Sequence, residues 1–170
     1  LNSEVTEIIA RAVTLFSEGF IIVKKSEIES LSTTLIIHIF ARIIATIGNS
    51  GLRPRLASLE RLAHSIFDAS FKSRTLGRCL FMPSASEILV CREVRNLPMS
   101  LRLEEKSILK WDDRFLIEIN KKIANDSYLA PLSQSGWTQI MNNAAAKPSY
   151  LPFPVRFTLP AIFDERGVKE

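Results

Sequence analysis

Glycine is scarce in this 170-residue chain: there are six, and no two are adjacent. Loops that cradle phosphates need clustered glycines, because backbone N–H groups must approach the ligand closely at a helix N-terminus. A Walker-type loop, a dinucleotide fingerprint and an SGGxDS-type pyrophosphatase loop are all absent, so no ATP chemistry is written into these residues. Cysteine and histidine are equally sparse, with Cys79, Cys91, His38 and His64 as the whole set. Their spacing makes no zinc site and no disulfide framework. The two thiols read as small buried hydrophobes, even if a hairpin brings them onto neighbouring strands. His38 reads as a core histidine and His64 as a residue on a helix flank. No apolar run can span a bilayer: the longest, Thr34 to Ile47, is too short and carries His38 and Arg42. The opening LNSEVTEIIARAVTLF has no basic head before an apolar core, so it is no signal peptide. Repeats and low-complexity tracts are missing, which excludes solenoids and disorder. These absences point to a cytoplasmic protein without a membrane partner. The chain starts at Leu1 rather than Met and stops in mid-turn at Glu170, which reads as a piece cut from a longer protein.

What is present is an α+β pattern. Ser3 to Phe16 has apolar residues at helical spacing, with Ser3 as an N-cap and Gly19 beyond. Phe20 to Val23 is a short β-prone run, and Ser26-Glu27-Ile28-Glu29 has the form of a capping box. Ser32 to Ile47 predicts a helix apolar nearly all round, stopped by Gly48-Asn49-Ser50-Gly51. Arg55 to Phe71 predicts a third helix. Thr75–Met82 and Glu87–Val94 predict a hairpin around Pro83-Ser84-Ala85-Ser86, and Ser107–Trp111 with Phe115–Ile119 predicts another around Asp112-Asp113-Arg114. The expected architecture is a helical layer over residues 1–72, about three helices, packed with a small antiparallel hairpin layer over 73–120. Residues 121–170 would add a helix from Ser135 to Ala146 and a proline-rich tail, extended and irregular over 151–163, as a second small subdomain.

Charge is modest overall, +4, but it is concentrated. Residues 53–78 hold Arg53, Arg55, Arg61, Lys72, Arg74 and Arg78 against only Glu60 and Asp68, so this window alone equals the chain's excess. Such a cluster suits a phosphate backbone, and arginine suits bidentate phosphate contacts. A solvated helix face would look the same. Arg92, Arg95 and Arg114 form a second set. Candidate catalysts are lacking: serines, histidines and acids make no local motif, and the paired Asp112 and Asp113 are explained by turn chemistry.

One stretch says more. Thr75-Leu76-Gly77, the Cys79 strand, Val90-Cys91-Arg92-Glu93, Asn96-Leu97-Pro98 and Trp111-Asp112-Asp113-Arg114-Phe115 follow in an order and spacing that resembles the C-terminal region of bacterial tRNA(Ile)-lysidine synthetase, in its alphaproteobacterial form. Leu52-Arg53-Pro54-Arg55 and Leu59-Glu60-Arg61-Leu62 upstream, and Pro154 to Ala161 downstream, are similar to the same family. The chain departs from it at Gly77-Arg78, where the family usually has Gly-Gly, and at Asp112-Asp113, where it usually has Asp-Gly. The resemblance implies a parent ligase that uses ATP with magnesium to adenylate the wobble cytidine of isoleucine tRNA, after which lysine attacks. The ATP site would belong to an N-terminal domain outside this chain. This region would hold no cofactor and no metal, and would bind tRNA and its own N-terminal domain, with a homodimer as a further partner. The alternative is an interaction or structural domain without an RNA role, docking through the apolar tail 150–163.

Overall fold

The computed structural model describes residues 1–48, 51, 53–120, 122–143 and 151–169. They form two compact units, Leu1–Glu93 and Val94–Glu170. The boundary expected at residue 120 falls inside the second unit, because strands on either side of it pair with one another.

In the first unit, α1 (Asn2–Ala12) buries Val5, Ile8 and Ala12 on one side. The helical spacing runs on to Phe16, but the helix does not: Val13–Phe16 is strand β1. Gly19, at φ 76, turns the chain so that β1 pairs with β2 (Phe20–Lys24), Val13 facing Val23 and Phe16 facing Phe20. The Phe16 and Phe20 rings stack at 4.3 Å. Pairing, together with the β-branched Val13 and Thr14, outweighs the period. The Ser26 capping-box pattern opens no α-helix, since Lys25–Glu27 makes only a 3-10 turn.

Helix α2 (Thr33–Ile47) begins where its N-cap places it, with Ser32 Oγ accepting from Leu35 N at 3.4 Å. Ile36, Ile39, Phe40, Ile43, Ile44 and Ile47 are buried, yet His38, Ala45 and Thr46 are exposed. The helix is therefore one-sided, and His38 is a surface residue rather than a core histidine. Of the expected stop signal, Asn49 and Ser50 lie outside the described residues. Helix α3 (Leu56–Ser65) is shorter than the Arg55–Phe71 reading, because the chain closes into turns bonded Asp68 N to Ser65 O and Phe71 N to Asp68 O.

The expected strand Thr75–Met82 is broken in two. β3 (Arg74–Leu76) and β4 (Cys79–Pro83) pair as a hairpin, Leu76 facing Cys79, with Gly77 at φ 58 and Arg78 at φ 64 as the two-residue loop. Two positive φ values in a two-residue loop match the twist of antiparallel strands. β5 (Glu87–Arg92) follows, giving the order β1-β2-β5-β4-β3, antiparallel throughout. Side chains alternate across the sheet. Ile21, Val23, Cys79, Phe81, Ile88 and Val90 share one face and join the buried residues of α1, α2 and α3 in a single core. Phe40 meets Phe81 edge-on at 5.4 Å. Cys79 faces Arg92 while Cys91 faces Leu80, so the two thiols lie on neighbouring strands but opposite faces. Both are buried.

In the second unit, β6 (Leu101–Arg102), β9 (Tyr128–Pro131), β10 (Pro160–Asp164) and β11 (Gly167–Val168) make a sheet in the order β11-β10-β9-β6. β7 (Ile108–Trp111) and β8 (Phe115–Glu118) make the hairpin expected from the sequence. Leu103, Trp111, Ile119 and Leu129 form one buried cluster here. Helix α4 (Ser133–Asn143) covers part of the Ser135–Ala146 reading, whose last three positions lie outside the described residues. The proline-rich tail is partly regular. Pro152 precedes the single turn α5 (Phe153–Arg156), and Pro160 starts β10, where its missing N–H falls at the strand's first residue.

The β10–β11 turn carries a charge-dependent clasp. Lys169 Nζ pairs with Asp164 Oδ2, and Arg166 N donates to Asp164 Oδ1 at 2.8 Å. The Lys169 hydrogen bond, more than any other cause, holds the Asp164 carboxyl below its ordinary value. A depressed carboxyl stabilises the fold above its unfolded-state pKa of about 4 and ceases to as pH falls through the lowered value. Lys169→Ala is therefore expected to move the Asp164 titration upward. Carboxyl-carbon NMR against pH measures it, and an unmoved titration would refute the clasp.

Candidate nucleic-acid interface

The site is built on a close approach of backbone. Gly48 follows α2 with ordinary helical angles, φ −75 and ψ −28. A Cβ there would overlap the Gly77 carbonyl oxygen, so the helix end sits directly on the β3–β4 turn. A Cβ on Gly77 would in turn overlap Ile44 and come 3.2 Å from Pro54 Cγ. Pro54 lies between Arg53 and Arg55, and Gly77 precedes Arg78. Two basic segments more than twenty positions apart thus meet at one corner of the first unit, and Arg53, Arg55 and Arg78 are all exposed there.

The remaining cations of the window are also exposed, but each lies where its own element puts it. Arg61 folds back along α3, its Nε donating to Ala57 O at 3.1 Å and an Nη to Ser58 Oγ at 3.3 Å. Arg74, on edge strand β3, stands over the Phe71 ring at 5.7 Å. Lys72 is exposed in the loop before it. Arg95 is exposed in a 3-10 turn, Val94–Asn96, which belongs to the second unit.

Two candidates are not surface cations. Arg92 is only 1% exposed, on the core face of β5, and its Nη1 donates to Arg78 O at 3.1 Å. The Arg114 side chain is 4% exposed. Its Nε meets Asp112 Oδ2 at 2.8 Å, an Nη donates to Thr158 O at 2.9 Å, and its guanidinium lies over the Phe115 ring. A desolvated guanidinium bonded to protein acceptors offers nothing to a phosphate. The sequence carries no mark that separates these arginines from the exposed ones; only the register of β5 and the turn geometry do.

Asp112 and Asp113, at φ 48 and 55, are the turn residues expected. A cavity of about 620 Å³ in the second unit is walled by Ile119, Ile123 and Ile162 with Lys122, Asp164 and Lys169 among its polar groups. Asp164 and Lys169 there already satisfy each other. Among the described residues no group of three or more histidines, cysteines and acids could hold a metal ion, and no helix is long and apolar enough to cross a membrane.

A tRNA(Ile)-lysidine synthase of Rickettsia rickettsii (strain Sheila Smith) is 31% identical over 124 residues, 72% of this chain and 26% of that protein. The protein of the same name from Rickettsia felis is 29% identical over 147 residues, 85% of this chain and 34% of its own length. That from Rickettsia peacockii is 31% identical over 124 residues and 23% of its length. The chain thus spans about a quarter to a third of the curated relatives it matches. It is similar in sequence to a region of tRNA(Ile)-lysidine synthases, as the motifs around residues 75–115 suggest. No family model and no solved structure matches it.

Proposed function

We propose that this chain is the tRNA-holding, C-terminal region of a tRNA(Ile)-lysidine synthetase. The relatives' name supplies the ligase and the isoleucine tRNA. The whole enzyme would join lysine to the wobble cytidine in the cytoplasm, with ATP and magnesium bound by an N-terminal domain outside this chain. The region itself would contribute no catalytic residue. Its part is to fix the tRNA by its backbone, which needs cations on a rigid frame rather than chemistry.

The observation that carries this reading is the meeting of Arg53, Arg55 and Arg78 at the Gly48–Gly77 approach. Lys72, Arg74 and Arg61, exposed on the same first unit, extend the set. The alternative, a docking domain without RNA, draws on the apolar tail. That tail is largely spent inside its own unit: Leu151 and Val155 are buried and β10 pairs on both sides, which leaves Phe153 as its large exposed apolar residue among those described.

A fluorescence anisotropy titration of the chain with isoleucine tRNA at rising salt tests the proposal. Removing one phosphate-binding cation weakens binding and lowers the salt slope by about 1, so neutralising all three corner arginines to glutamine should lower it by about 3. Equal affinity and slope in the triple variant and the parent would refute the interface.

A further inference from the structure

Arg92 is buried on a sheet face otherwise filled by Cys79, Phe81, Ile88 and Val90. An apolar residue would be the cheaper occupant, because a guanidinium taken out of water must be compensated by hydrogen bonds. One of those bonds is specific. Arg92 Nη1 and the backbone N of Glu93 both donate to the carbonyl oxygen of Arg78, at 3.1 and 2.8 Å.

Arg78 is the residue in need of such support. It has a side chain but sits at φ 64, in the left-handed region that disfavours Cβ. A strained residue persists where its surroundings over-determine it. Here they do so from several sides: Cys79 Sγ donates to Gly77 O at 3.6 Å, Gly48 and Ile44 close on Gly77, and Arg92 with Glu93 holds the next carbonyl. The result is a turn fixed in its backbone, with the Arg78 side chain exposed one residue from the point where Gly77 approaches Pro54.

We infer that Arg92 is a positioning residue for RNA: it locks the left-handed Arg78 turn so that Arg78 meets a phosphate pre-arranged. This rests on the proposed tRNA-holding role. A cation already held in its bound geometry loses less conformational freedom on binding than one on a mobile turn.

Two measurements on the whole chain decide it. The first is limited trypsinolysis, with cleavage sites read by mass spectrometry. Arg92→Met keeps length and burial but removes the donor. It should speed cleavage after Arg78 about tenfold while sites after Arg61 and Arg95 keep their rates, since local opening governs such cleavage. Arg92→Lys, which restores a donor, should recover most of the protection. Equal acceleration at every site would reveal a general loss of stability and overturn the inference, as would no acceleration at all.

The second is the tRNA titration. Arg92→Met and Arg78→Gln should each weaken binding about fivefold, and the double variant no further, since residues acting as one unit are not additive. Additive losses overturn the positioning role while leaving the interface in place. Absence of tRNA binding by the unmodified chain refutes the tRNA-holding reading, and with it the RNA purpose of the lock. Faster Arg78 cleavage in Arg92→Met would then stand as support for the lock itself.

Discussion

Alanine in place of Gly48 is expected to destabilise the first unit by about 3 kcal/mol, the upper part of the range for overpacking. For a chain of this size that is a fall in melting temperature of about 10 °C. Propensity alone gives the opposite sign. Gly48 has helical angles, and alanine there should gain up to about 1 kcal/mol over glycine. The added methyl, however, overlaps the Gly77 carbonyl oxygen, which is backbone and cannot swing aside as a side chain would. Either the helix end or the Gly77-Arg78 turn must move, and the turn is held by its strands on both sides. Steric overlap is therefore the larger effect. Thermal melting followed by circular dichroism checks it, with Ala45→Ser on the exposed face of the same helix as the control. A Gly48→Ala variant that melts with or above the parent would show that the approach is looser than the geometry requires.

That approach also marks where sequence reading stops. Gly48 is legible as a helix stop, and Gly77-Arg78 stands out only as a departure from a Gly-Gly pattern. Neither reading says that the two glycines touch. Period and capping place α2 to within a residue, because Ser32 and the isoleucine spacing act locally. They carry α1 four residues too far, because the pairing of Val13 with Val23 is settled by a neighbour across a turn. They fuse β3 with β4 because a left-handed arginine has no signature in the chain. The same limit governs the site. Composition gathers a window of exposed cations, since a surplus of arginine over acid is a property of the string. It cannot separate exposed Arg78 from buried Arg92, because that difference is one of strand register. Nor can it show that Arg53 and Arg55 join Arg78, which requires the helix end to land on the turn.

Asp112 and Asp113 pose the same problem in its sharpest form, and the second large effect is expected there. The two are adjacent, alike in sequence and both left-handed, yet their carboxylates do different work. Asp113 pairs with Lys110 at 2.9 Å with both side chains more than half exposed, and such a pair contributes about 0–1 kcal/mol. Asp112 compensates Arg114 where both side chains are nearly out of water, at 7% and 4% exposure. Removing one partner of a buried pair strips the other charge of its nearest counter-charge, at a cost of about 3–5 kcal/mol. Asp112→Ala should therefore destabilise the second unit by that amount, and Asp113→Asn by less than about 1 kcal/mol. Combining Asp112→Ala with Arg114→Met should recover part of the loss, because no charge is then stranded. The chain's two tryptophans, Trp111 and Trp137, both lie in the second unit and are buried there, so urea unfolding followed by their fluorescence reads this unit and not the first. Equal midpoints for the two single variants would mean that water reaches the Arg114 guanidinium, and the hairpin turn would then be held by its backbone alone.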